Sequence, residues 1–230
     1  MGLKGVERVS LVDYPGQICT SLFYSGCNLR CGFCHNPSLV FNADNLPTID
    51  QEELLGQLYS RCKLVPAVCI TGGEPTLDPG LPDLIRRLKE LELLVKLDTN
   101  GTRPLLLARL LAANMVDYIA LDVKAPKVKY GFVCGRDVVA KVTESIQLVK
   151  EKARNYEFRT TVVPGLLDKD DLIMIGQELA GADKYVLQQF RPSGPLLDPG
   201  LEGRQPYPEE FLHEVAAKLA VCFRTVEVRA

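Results

Sequence analysis

At 230 residues, the chain can bury a full core and suits one ordinary α/β domain. Hydrophobic residues at 47% and charged residues at 24% are the balance of a folded globular protein and exclude a disordered or low-complexity chain. Twenty-seven basic against twenty-nine acidic residues leave a net charge of -2, which gives no global pull toward nucleic acid or an anionic membrane. Eight cysteines in a chain of this length are not a small secreted disulfide scaffold, and Lys4, Glu7 and Arg8 interrupt any apolar signal core. A reduced, cytoplasmic protein is expected. No run approaches the roughly 20 apolar residues that span a bilayer.

In chain order, Ser10 to Gly16 ends in a Pro-Gly turn signal and feeds a strand over 18–24. Residues 36–48, with their prolines and asparagines, read as an exposed loop. Asp50 and Glu53 then make a capping-box start, and Leu54, Leu55, Leu58, Tyr59 and Cys62 trace one helix face. From there the pattern repeats as apolar strand, turn and amphipathic helix. Strands are expected over 67–71, 93–97, 118–121, 158–163 and 184–188, with helices carrying Leu81 to Leu91, then over 104–113, 138–154 and 171–180. Pro208 opens a last helix, and 222–228 adds an edge strand. This alternation implies parallel pairing with right-handed crossovers. About six strand–helix units fall short of the eight of a closed barrel, so an α/β fold with a partial (β/α)6 TIM-type barrel is expected, a doubly wound sheet being the alternative. In either fold the site lies where the strands end.

The most specific signal is Cys27-Asn28-Leu29-Arg30-Cys31-Gly32-Phe33-Cys34, three thiols in C-x3-C-x2-C spacing just after the first parallel strand. Such thiolates can converge on a soft metal centre. A four-iron cubane held by three of them keeps one iron without a protein ligand. Structural zinc with His35 is the bland reading; zinc sites, however, present a second ligand pair elsewhere, and Cys19, Cys62, Cys69, Cys134 and Cys222 form none. Gly72-Gly73-Glu74-Pro75 follows another strand, where glycines commonly only turn the chain. Asp98-Thr99-Asn100-Gly101 and Asp122-Val123-Lys124 each end a strand as well, and the aspartates read equally as turn caps. Arg159 reads as a surface arginine.

The triplet with His35-Asn36-Pro37, together with the GGEP segment, resembles the radical S-adenosylmethionine (radical SAM) enzymes, and more narrowly their glycyl-radical-enzyme activases. The resemblance implies a single radical SAM domain over 1–230, with a cluster loop at 26–37 and a closing helix and strand within 206–229. It implies a 4Fe-4S cluster on Cys27, Cys31 and Cys34, with S-adenosylmethionine chelating the fourth iron and cleaved to a 5'-deoxyadenosyl radical. Phe33 is then the aromatic beside the adenine. Thr71, Gly72, Gly73, Glu74 and Pro75 serve the cofactor's ammonium. Similarity to pyruvate formate-lyase activating enzymes gives Asp98, Thr99 and Asp122 to a monovalent cation beside the cofactor, with Asn100 in the same segment. Lys124 is given to the cofactor's carboxylate end, and Arg159 lies near it.

Gln188-Gln189-Phe190-Arg191-Pro192 stands where those activases carry a late histidine, and Asp13-Tyr14-Pro15-Gly16 is similar to the opening of anaerobic ribonucleoside-triphosphate reductase activating proteins. The implied partners are a glycyl radical enzyme, that reductase first, and a flavodoxin- or ferredoxin-type electron donor, with neither nucleic acid nor membrane. The rival readings are a radical SAM enzyme acting on a small molecule, such as a 7-carboxy-7-deazaguanine synthase, a non-catalytic iron-sulfur electron carrier, and a zinc-binding scaffold.

Overall fold

The computed structural model describes residues 2–41, 43–192 and 194–230. Among the described residues eight strands form one sheet in chain order: β1 (Leu3–Ser10), β2 (Cys19–Tyr24), β3 (Ala67–Gly72), β4 (Leu94–Thr99), β5 (Tyr118–Asp122), β6 (Tyr156–Val162), β7 (Lys184–Gln189) and β8 (Thr225–Arg229). Only β1 runs antiparallel to its neighbour; from β2 to β8 every pairing is parallel. The crossovers carry α1 (Pro37–Phe41) and α2 (Gln51–Arg61), α3 (Leu81–Glu90), α4 (Pro104–Ala112), α5 (Tyr130–Cys134) and α6 (Val139–Lys152), α7 (Lys169–Glu178) and α8 (Glu209–Leu219). Six strand–helix units therefore run from β2 to α8, as the alternation predicts. With β1 and β8 at its two edges, the sheet is an open, partial barrel.

The pleat sorts residues between two environments. On β3, Val68 and Ile70 join the main core with Leu81, Leu84, Ile85 and Leu88 of α3, all fully buried. Burial of each such leucine stabilises the fold by roughly 1.5–3 kcal/mol. Their neighbours Ala67 and Cys69 face the other way and pack with Cys19 and Tyr14 in a separate small cluster, with Leu94 and Tyr118 against it. That cluster plugs the end of the barrel where the strands start. Above it the interior turns polar, with Lys96 and Glu157 both nearly inaccessible.

Local signals set the helix starts. Asp50 accepts the Glu53 amide at 2.9 Å, the expected cap of α2. On α7, Asp168 and Asp171 form a reciprocal capping box, which begins the helix two residues before the expected 171. Residues 3–10, to which the sequence assigned no strand, form β1, and α5 is likewise additional. In β1 register shifts between Leu3 and Gly5 and between Glu7 and Ser10 break the period of two that would have revealed a strand. The following turn folds back: Tyr14 is buried with its ring 5.7 Å from Tyr118, and Asp13 accepts the Ser21 hydroxyl at 2.5 Å. In the loop expected over 36–48, α1 and a short 3-10 turn (Ala43–Asn45) are ordered, while Asn42 lies outside the described residues. Among the described residues no helix is long and apolar enough to cross a membrane.

Candidate active site

The loop of the cysteine triplet leaves the C-terminal end of β2 and is fastened from several directions. The Gly73 amide donates to Tyr24 O at 2.8 Å and the Glu74 amide to Gly26 O at 2.8 Å, which joins the loop's first residues to the turn after β3. A Cβ on Gly73 would collide with the Gly26 carbonyl, and Gly72 sits at φ 116° against the Tyr24 backbone, so both positions require glycine. On the far side the Arg30 amide donates to Cys134 O at 2.8 Å. The Leu197 and Asp198 amides donate to Cys34 O (3.2 Å) and Gly32 O (2.8 Å).

Held this way, Cys27, Cys31 and Cys34 line one cavity of about 220 Å³ at the strand ends. Thr71, Gly72, Gly73, Glu74, Asp98, Thr99, Asn100, Asp122 and Lys124 line it too. The thiols differ in electrostatics. A hydrogen bond from the buried Cys134 thiol lowers the Cys31 pKa and outweighs burial, with Lys124 acting in the same direction. Burial pushes Cys27 up to about 11 and raises Cys34, each partly offset by a backbone amide. Among the described residues no three His, Cys, Asp or Glu side chains stand close enough to hold a single ion as they are. Phe33 is buried, with the Lys124 ammonium 5.8 Å from its ring centre.

The wall from β4 to β6 is a ladder of alternating charges. Asp98 takes the Lys96 ammonium on Oδ1 and Arg159 Nη1 on Oδ2, the latter at 3.1 Å. Asp122 takes Arg159 Nε on Oδ1 at 2.8 Å and Lys124 Nζ on Oδ2 at 2.9 Å. Burial alone would raise the Asp122 carboxyl; Arg159 and Lys124 outweigh it and hold it far below the carboxylate range. The same pairing, again against burial, raises Lys124 and Arg159. All three stay charged at neutral pH.

Glu74 is spent inside the protein. Its carboxylate accepts the Thr76 amide (3.1 Å) and hydroxyl, the Thr99 hydroxyl (2.8 Å) and the Asn100 amide (2.7 Å), which knots the turn after β3 to the turn after β4. Burial raises its pKa despite these donors. Asn100 in turn donates from Nδ2 to Asn28 Oδ1 at 3.0 Å and approaches Cys27 Sγ at 3.8 Å.

Most of the residues singled out from sequence therefore meet at one cavity. Two stand off its wall: Pro75 is buried at the start of a short 3-10 turn (Pro75–Leu77), and Arg159 lies behind, on an adjoining cleft of about 780 Å³ that shares His35 and Thr161 with the cavity. Of the groups that the resemblance gives to a monovalent cation, the Asp98 and Asp122 carboxylates are paired with the chain's own cations and the Thr99 hydroxyl is bonded to Glu74 and the Gly101 amide. Sequence reasoning missed Asn28, Thr161, Leu197 and Lys96. Asn28 was legible only as part of the triplet, and Leu197 belongs to no motif. Lys96 shares a strand face with Asp98 by simple alternation, the one signal that could have found it.

The family profile described as the Radical SAM superfamily matches residues 21–174. A Methanocaldococcus jannaschii protein named as a glycyl-radical enzyme activating enzyme is 35% identical over 196 residues, 83% of this chain and 80% of that one. A Thermococcus kodakarensis protein named as a GTP 3',8-cyclase is 30% identical over 217 residues, 92% of this chain and 70% of that one. In fold, the chain is similar to Streptococcus suis SuiB bound to the precursor peptide SuiA, with a TM-score of 0.69 at 15% identity over 90% of this chain and 48% of that one. The chain belongs to the radical SAM superfamily, enzymes whose cofactors are a 4Fe-4S cluster and S-adenosylmethionine.

Proposed function

We propose that this chain, acting as one domain over residues 1–230, is an activase that installs a glycyl radical on a partner enzyme, an anaerobic ribonucleoside-triphosphate reductase first among candidates. The observation that carries the reading is that a single cavity has three thiols on one wall and the Asp122–Lys124 pair on another. The higher identity to the Methanocaldococcus relative supports the activase over other superfamily chemistries.

The donor set fits the cofactors. A cubane takes one thiolate per iron, so its ligands stand around a cube rather than converging on one ion, and Cys27, Cys31 and Cys34 are the three such groups lining the cavity. Cys31, its pKa lowered in place, is the readiest thiolate. When bound, the cluster and its sulfonium partner supply reductive carbon–sulfur cleavage and a hydrogen-abstracting radical. This chain binds and orients. Lys124 offers an ammonium to the cofactor's carboxylate, held by Asp122 and facing Phe33. Phe33 supplies an apolar face for the adenine. Strand-end carbonyls from Thr71 to Gly73 accept from the cofactor's ammonium, since the Glu74 carboxylate is occupied by four internal donors. Asn100 keeps Asn28 and the Cys27 side in register. A flavodoxin- or ferredoxin-type protein supplies the electron.

The test is anaerobic iron and sulfide loading, then electron paramagnetic resonance with candidate reductases from the same organism. A glycyl-radical doublet that needs both S-adenosylmethionine and one partner establishes the activase and names its target. A nucleotide substrate is the second reading, favoured by the likeness to the GTP 3',8-cyclase; consumption of GTP without any partner protein would establish it instead. In either case Cys31→Ala should abolish 5'-deoxyadenosine release, and full turnover by that variant would refute the ligand assignment.

A further inference from the structure

The carboxylates of Asp98 and Asp122 face three cations of the chain itself. Lys96 and Arg159 Nη1 occupy the two oxygens of Asp98, and Arg159 Nε (2.8 Å) and Lys124 Nζ (2.9 Å) occupy those of Asp122. The Thr99 hydroxyl is used in both directions, donating to Glu74 at 2.8 Å and accepting the Gly101 amide at 3.1 Å. Every oxygen of the trio already has a partner within the chain. The charge count agrees. Three cations against two carboxylates leave one surplus positive charge, which the carboxylate of an arriving S-adenosylmethionine neutralises. A further metal cation would leave the wall overcharged, at a low-dielectric position where that is expensive.

Lys96 is what separates this arrangement from an ion site. Its side chain is 1% exposed, and its ammonium donates to Asp98 and lies 3.6 Å from the Cys69 sulfur. A buried lysine contributes a point charge of the same sign and valence as a sodium or potassium ion, but carries its own tether and loses no affinity to dilution. We infer that Lys96, bridged through Asp98 and Arg159 to Asp122, is a built-in substitute for a monovalent cation beside the cofactor, so that the chain binds S-adenosylmethionine without such an ion. Lys96 is a positioning residue: it acts through Asp98 and Arg159 on the Asp122–Lys124 pair and does not touch the cofactor. The inference rests on the reading of this cavity as the S-adenosylmethionine site.

The test measures the dissociation constant of S-adenosylmethionine on the cluster-loaded chain by equilibrium dialysis, in sodium, potassium and tetramethylammonium chloride at equal ionic strength. Tetramethylammonium is too bulky to enter a carboxylate site. The native chain is expected to bind with the same constant in all three salts, within about threefold. Lys96→Met removes the tethered charge and keeps the chain's bulk. It should bind about tenfold or more weakly in tetramethylammonium and recover in sodium or potassium, a rescue that mere loss of packing would not give. Equal weakening in all salts, or no weakening in any, would overturn the role of Lys96. Should that variant fail to fold, as circular dichroism would report, the native comparison still decides. A native chain that binds at least about tenfold more tightly with sodium or potassium overturns the inference alone, whereas absence of binding in every salt overturns both the inference and the reading of the cavity beneath it.

Discussion

Two charged networks run through the barrel interior, and they are built to different sums. One joins Lys96, Asp98, Arg159, Asp122 and Lys124, three cations on two carboxylates, and two of its cations reach the thiol cavity's wall through Asp98 and Asp122. The other joins Glu157, Glu227, Arg229 and Lys184 at the β6–β8 edge, two on two. In the second set Arg229 Nη1 and Nη2 take the two oxygens of the inaccessible Glu157 at 2.8 and 2.6 Å, while its Nε reaches Glu227 at 2.6 Å. The Tyr118 hydroxyl adds a 2.9 Å bond from β5. A closed, neutral set has nothing left to offer a ligand and serves to lock β8 onto the sheet. A set with surplus positive charge is incomplete without an anion, and it lies where the strands end.

The largest expected effect comes from breaking the neutral set. Glu157→Gln leaves Arg229 and Lys184 short of a buried partner and should cost about 3–5 kcal/mol in denaturant unfolding, while S-adenosylmethionine affinity stays within about threefold. Collapse of affinity along with stability would erase the distinction between the two networks. Acid probes the same set more gently. Against burial, Arg229 holds the Glu157 carboxyl down at about 2 from its ordinary 4.5. A carboxyl with a depressed native pKa contributes stability that is complete above pH 4.5 and lost as pH falls through about 2, on the order of 3 kcal/mol in all. The stability gap between native chain and Glu157→Gln should therefore shrink across that window; a gap constant down to pH 2 would contradict it.

In the unbalanced set Lys124→Met removes the surplus charge. The release of 5'-deoxyadenosine should fall by about a hundredfold or more, with unfolding affected less than in Glu157→Gln. Native turnover in that variant would remove Lys124 from the site. The smallest effect sharpens the comparison from outside the barrel: Arg86, half exposed on α3, pairs with both Asp83 and Glu90, yet Arg86→Ala should leave the denaturant midpoint of unfolding unchanged because solvent screens the pairs; a clear fall in the midpoint would contradict it.

What the sequence made legible follows from local rules. Cysteine spacing, the glycines after β3 and the aspartates at strand ends announce themselves because each depends on a few adjacent residues. The six strand–helix units are legible because burial writes a period of two or of 3.6 into the chain. Lys96 escaped because a lysine within a strand normally reads as a solvated position, and only closure of the sheet around it turns that face inward. Residues 197 and 198 fasten the cluster loop through amides given to Cys34 and Gly32, which are far from them in sequence. Strand β1 was hidden by its bulges, and the four internal donors from three other residues that meet Glu74 could not be foreseen from GGEP alone.

The absence of room at Gly73 reaches further than one residue. Because its backbone presses directly on Gly26, the thiol loop and the turn after β3 behave as a single interlocked part, and neither can be transplanted, lengthened or retuned alone. An engineer moving this centre into another scaffold must carry both halves. Lineages that diversify the loop are expected to change its counterpart in step, which paired swaps between homologues can test directly.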